Sequence, residues 1–201
     1  VVGKNGPRTV ADLKGKTIAG PKGTVLHQLL VAALAREGIS MQQVNFVQMD
    51  LPKAFAAVQS GQIDAALLAA NFVLNAQKDG SHVLTRATGL VTPILVMTAS
   101  EKFLQTHPDR VKAVVAAHDE AWQWIQANKE EAIALGAKLQ NISVDEARQL
   151  YSWSHFAQRL KPSDFQAMEK DVQFMLDNGM MRNRVNVRKI VAPGALEASA
   201  K

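Results

Sequence analysis

Cysteine is missing from all 201 residues. Its absence excludes thiolate metal sites, thiol nucleophiles and disulfides, and it suits an oxidising or a reducing compartment equally. No stretch approaches the length of a membrane span, and no signal peptide heads the chain. The sequence opens Val1-Val2 rather than Met, so it reads as a processed or truncated piece, and the lack of a signal says little about destination. Internal repeats and low-complexity segments are absent. No Lys/Arg block is interleaved with aromatics, which argues against nucleic acid as a partner.

Metal and nucleophile chemistry find equally little support. His82, His107 and His155 lack metal-ligand spacing. His118, Asp119 and Glu120 are consecutive, so on a helix they point in different directions and cannot share one ion. His118 falls on an apolar helix face and reads as a packed core histidine. No GxSxG elbow supports nucleophilic catalysis. The chain reads as a non-enzyme that needs no cofactor.

What is present is an ordinary globular composition, 47% hydrophobic and 20% charged. The 23 basic and 18 acidic side chains leave a formal charge of +5, a mild excess that suits solubility and a small anionic ligand alike. Such a length holds one domain or two small ones.

Lys16–Gly38 is the most informative stretch. Thr17, Ile18 and Ala19 read as a short strand, and Gly20-Pro21-Lys22-Gly23 as a turn. Val25, Leu26, Leu29, Leu30, Ala33 and Leu34 then recur at the spacing of one helical face. Thr24 is placed to cap that helix, and Gly38 to end it. A strand, a glycine turn and a helix N-terminus in that order build a site for a negative group.

The pattern repeats downstream. Val44–Gln48 reads as a strand, and Asp50-Leu51-Pro52 as the start of a helix with an aspartate cap and a first-turn proline. Ile63–Leu68 reads as a buried strand, Ala70–Lys78 as a helix, and His82–Thr85 and Pro93–Thr98 as further strands. This alternation implies an α/β fold with a parallel-rich sheet. From Glu101 the pattern turns helical: a long helix from Pro108 with Val111, Val114, Val115, His118, Trp122 and Ile125 on one face, then Glu130–Leu139, Val144–Tyr151 and Pro162–Asn178. Ser143 and Glu146 form a capping-box pattern.

Three pieces carry a family resemblance: TVADLKGKTIAGPKGTVLHQLLVAALAREGI at Thr9–Ile39, AFAAVQSGQIDAALLAANFVLNA at Ala54–Ala76, and ASEKFLQTHPDRVKAVVAAHDEAWQWI at Ala99–Ile125. Together they resemble the type II periplasmic substrate-binding proteins of ABC importers, in the branch for aliphatic sulfonates, taurine and nitrate. The resemblance implies a clamshell of two α/β lobes that closes over a small anion and delivers it to a membrane permease. Residues 1–98 would form the second lobe with its crossover strands, and residues 99–201 the helical part that packs back on the first lobe. The N-terminal part of that first lobe would be missing. The C-terminal helices would then expose apolar faces, which a homo-oligomer or a segment-swapped dimer would cover. Two readings on the same fold stand beside this one. A thiamine-pyrimidine-precursor binding protein is one, although the related synthases resemble a cysteine-rich pattern that this chain lacks. The ligand-sensing domain of a transcription regulator is the other, although no helix-turn-helix is present.

The resemblance also implies site residues. The anion-facing loop matches Gly23, Thr24, Val25, Leu26 and His27. Gly23 would let the ligand approach the backbone, Thr24 would donate to it or simply cap the helix, and His27 would donate or lie on the helix surface. In the second loop, Ala69-Ala70-Asn71 stands where sulfonate-type members often carry Trp-Asp-Pro. The cleft would be wider there and would lack a carboxylate for cationic groups, leaving Asn71 to donate or accept. Thr92 is a further candidate at the hinge, or a turn residue.

Overall fold

The computed structural model describes residues 1–154, 156–192 and 195. His155 lies outside the described residues. The chain divides into two units, one of Val1–Pro93 with Lys170–Val185, the other of Ile94–Glu169 with Asn186–Lys201.

The first unit is built on three parallel strands, β1 (Thr17–Gly20), β2 (Asn45–Gln48) and β3 (Ala65–Ala66), in the order β2-β1-β3. Parallel neighbours require crossover segments, here α1 (Val25–Arg36) between β1 and β2 and α2 (Leu51–Gln59) between β2 and β3. A third helix, α3 (Asn71–Lys78), follows β3. Ile18, Leu30, Leu34, Val44 and Leu67 form one buried cluster with Val2, Leu13 and Ile39, so the helical stripe of α1 packs on the strands as its spacing requires. Asp50 caps α2 by accepting from the Lys53 N–H at 3.0 Å.

Two short runs within the pieces that carry the resemblance, Asp12–Lys16 (DLKGK) and Gly61–Ala66 (GQIDAA), meet at one point of this unit. Leu13 drops into the core, and Gly15, at φ 76°, turns the chain so that its N–H donates to the Gln43 carbonyl at 2.7 Å. The Asp64 carboxylate accepts from the Thr17 N–H at 2.8 Å and lies 3.8 Å from Lys16 Nζ, while the Asp64 N–H donates to the Thr17 carbonyl at 3.0 Å. These motif residues therefore tie the starts of β1 and β3 together. Their role is to set the sheet from which the loops emerge.

Several expected strands shrink or vanish. Within Ile63–Leu68 only Ala65 and Ala66 join the ladder, with Val2 bridging Ala65 and His82 in the antiparallel sense. Of His82–Thr85 only that bridge forms, and Pro93–Thr98 contains no strand. A strand is a paired object, and its N–H and C=O groups need a neighbouring ladder. Pro93–Thr98 finds none among the described residues, and Leu95 and Met97 are left 93% and 62% exposed.

The second unit is helical: α4 (Glu101–Thr106), α5 (Pro108–Ala127), α6 (Lys129–Gln140), α7 (Val144–Trp153), the first half of α8 (Asp164–Asp177) and α9 (Val187–Ile190). The capping box starts α7, with Ser143 Oγ accepting from the Glu146 N–H and Glu146 accepting from the Ser143 N–H. Left-handed Asn141 ends α6 at φ 53°. Ile133, Ala137 and Ala147 make a small core where α6 meets α7. Arg159 grips Asp119 of α5 with both terminal nitrogens, at 2.6 and 2.7 Å, and Gln158 donates to the same carboxylate. These donors and the guanidinium charge hold the Asp119 carboxyl at a pKa of about 2.

Candidate functional site

In a parallel sheet, every strand end and every following helix start lie on the same edge. The first unit therefore gathers the N-termini of α1, α2 and α3 beyond the carboxyl ends of β1, β2 and β3. Asp50 occupies the α2 terminus as its cap. The other two termini receive no side-chain cap bond, from Thr24 at α1 or from Ala70 at α3. The first-turn N–H groups of α1 and the positive end of each helix dipole suit an anionic acceptor. At α3 the Phe72 and Val73 N–H groups already donate to the Ala69 and Ala70 carbonyls at 3.2 and 3.1 Å, leaving the Asn71 N–H.

The two loops leave adjacent strands in close contact. Leu67 N–H donates to the Ala19 carbonyl at 2.8 Å, and a Cβ added at Gly20 would lie 2.5 Å from Leu67 Cβ. Only glycine permits that approach where β1 turns into its loop. The structure thus brings Gly23, Thr24 and Val25 to the same edge as Ala69, Ala70 and Asn71. Thr92 sits in a segment without regular structure and is exposed, and no described hydrogen bond joins it to either loop.

Within the first loop, Gly23 adopts φ 75° with open space where a Cβ would stand. The expected Thr24 cap bond does not form. Its hydroxyl donates backwards to the Pro21 carbonyl at 2.9 Å, which tightens the turn in place of closing the helix. His27 points inward and is 4% exposed. Its ring stacks on Phe46 of β2, with centroids 4.7 Å apart, and meets the edge of Phe174 at 6.2 Å. Its Nδ1 accepts from the Gly23 N–H at 3.3 Å. Burial, reinforced by the nearby Lys22 charge, lowers the pKa of His27 and keeps the ring neutral near pH 7.

The second loop turns on Ala70, whose φ of 50° and ψ of −132° belong to glycine-favoured space. Such a conformation costs about 1–3 kcal/mol and persists only where its surroundings impose it. Asn71 begins α3 and is half-buried, and Phe72 beside it packs on Phe55.

Sequence reasoning missed the support behind the first loop. The second half of α8 belongs to this unit: Asp171 accepts from Gln28 Nε2 at 2.8 Å, and Phe174 closes on His27. Phe174 stands beside the apolar stripe of Phe165, Met168, Val172 and Met175, so helical periodicity did not single it out. Among the described residues no group of three metal-ligating side chains occurs, and no helix is long and apolar enough to cross a membrane.

Known proteins extend this picture. The profile described as NMT1/THI5 like matches residues 2–132. The taurine-binding periplasmic protein of Escherichia coli is 38% identical over 121 residues, covering 58% of this chain and 38% of its own. A putative aliphatic sulfonates-binding protein of the same organism is 30% identical over 144 residues, covering 71% of this chain and 45% of its own. The chain thus spans less than half the length of these curated relatives. Among solved structures, the alkanesulfonate-binding protein SsuA of Xanthomonas axonopodis pv. citri, bound to MOPS, superposes with a TM-score of 0.78 at 25% identity. That match covers 98% of this chain and 68% of the other. The resemblance read from the three sequence pieces therefore holds: this chain belongs to the NMT1/THI5-like family, whose matched relatives include periplasmic sulfonate- and taurine-binding proteins.

Proposed function

We propose that this protein is the solute-binding component of an ABC import system, that it acts in the periplasm, and that it captures a small sulfonate-, taurine- or nitrate-like anion for delivery to a membrane permease. The observation that carries this reading is the pair of helix N-termini without side-chain caps, on loops leaving the adjacent strands β1 and β3. Gly23 leaves open space for the ligand to approach the backbone, and Thr24 and Val25 present backbone donors from the same loop. Ala69 and Ala70 leave room on the other, and Asn71 adds a polar side chain. The protein acts by binding and carries out no catalysis. Closure over the ligand follows the hinge motion of periplasmic binding proteins.

In the same reading, a second copy or an exchanged segment covers the apolar side chains that the second unit exposes, among them Val114, Trp124 and Leu139. Size-exclusion chromatography with light scattering tests this, and a clean monomer at all concentrations would overturn it.

A thermal-shift screen of the full-length protein against ethanesulfonate, taurine, nitrate and a pyrimidine precursor of thiamine tests the ligand class. Ligands that bind only the folded state raise the melting temperature by mass action. A rise with an anion is the expected result. A rise with the pyrimidine alone would replace this reading with the thiamine-precursor one.

A further inference from the structure

We infer that His27 is a positioning residue, which holds the anion loop through a hydrogen bond to the Gly23 N–H and releases it when the imidazole is protonated. This inference deepens the proposed anion site and rests on that reading for its consequence in binding. The geometry stands independently of any ligand. His27 lies in the first turn of α1, yet its ring is buried between Phe46 of β2 and Phe174 of α8. From there Nδ1 reaches back over the turn to accept from Gly23, the residue whose positive φ shapes the loop. Accepting at Nδ1 places the single ring proton on Nε2.

Protonation reverses that arrangement. An imidazolium donates at both nitrogens, so Nδ1 would face the Gly23 N–H donor to donor, and a charge would enter a buried site. The neighbouring charges do little to receive it. Lys22, on the same loop, is of like sign, and β2 carries no titratable residue. On α8, Phe174 is flanked by Lys170, Asp171 and Asp177, of which Asp171 already accepts from Gln28 and Asp177 from Gln173. The low pKa of His27 agrees with this environment. The loop therefore has two states, pinned with neutral His27 and loose with protonated His27.

Two variants separate positioning from packing. His27→Phe keeps a ring against Phe46 and Phe174 but removes the acceptor. His27→Asn offers an oxygen near the place of Nδ1 and does not titrate. Amide exchange at Gly23 in the ligand-free full-length protein, corrected for intrinsic rates, is read by NMR from about pH 7.5 down to about pH 4.5, well below the ordinary histidine range. Wild type should lose protection about tenfold or more on acidification, His27→Phe should be unprotected throughout, and His27→Asn should be protected throughout. Equal Gly23 protection in wild type and His27→Phe, or no change with pH in wild type, would overturn the inference.

Calorimetry with ethanesulfonate then reads the consequence: His27→Phe should bind several-fold more weakly, because its loop must be ordered on binding, and His27→Asn should recover. The exchange pattern without sulfonate binding to any form would support the His27 assignment and overturn the anion reading instead.

Discussion

The two units use their apolar residues differently. In the first, the 12-residue α1 buries His27, Leu30, Ala33 and Leu34 against a three-stranded sheet. In the second, the 20-residue α5 buries none, although its Val111, Val114, Val115, His118, Trp122 and Ile125 stripe is as regular as that of α1. Val114 remains 54% exposed and Val115 36%. An apolar stripe states that a face needs cover and leaves open what provides it. The first unit contains the cover within itself, and its loops are held accordingly.

Core truncation should separate the two units most sharply. Leu34 is fully buried and Leu139 is 77% exposed. Leu34→Ala should cost about 2–5 kcal/mol through lost burial and a cavity, and Leu139→Ala about 0.5 kcal/mol or less. Urea titrations of both variants check this, and equal midpoints would break the comparison. Next in size, Gly20→Ala should cost about 1–3 kcal/mol, because the new methyl meets Leu67 and must push β3 or its side chain aside. A thermal melt reads that loss.

A smaller and opposite effect is expected at Ala70. Replacing it with glycine removes the steric objection to its backbone conformation and should stabilise the protein by about 1 kcal/mol. Unchanged or lower stability would show that Ala70 is not strained in solution.

The smallest effects distinguish the units by pH. His27 has a folded pKa below its ordinary 6.5, so the unfolded chain takes up a proton first as pH falls. Stability of the first unit should therefore decline below about pH 6.5 and level off once the folded ring is also protonated. Asp119 moves from 3.8 to about 2, so its contribution to the second unit is present above 3.8 and is lost between there and about 2. Residue-resolved amide exchange across pH should show the first unit loosening in the earlier window. A common window for both would contradict these assignments.

Much of this was legible in the residues. The glycine turn before α1, the aspartate cap and proline of α2 and the Ser143–Glu146 box are local devices, and each is complete within about four residues of sequence. The α/β alternation and the family resemblance followed from them. What escaped depended on distant partners. Pro93–Thr98 has strand composition and no ladder to join. The Thr24 hydroxyl donates to the Pro21 carbonyl and accepts from none of the helix N–H groups, a choice of rotamer that the residue's identity does not fix. His27 carries the same letter whether it faces a ligand or a core. Only Phe46 and Phe174, 19 and 147 residues away, decide its inward direction. The backbone of Ala70 could not be read at all, since alanine in glycine-favoured space contradicts local preference.

The central claim is that an anion sits on the loops leaving β1 and β3. The most direct measurement is an NMR titration of the full-length protein with ethanesulfonate, following backbone amides. The account predicts saturable shifts concentrated at Gly23, Thr24, Val25, Leu26, Asn71 and Phe72. Saturable binding that leaves these amides unmoved would contradict it.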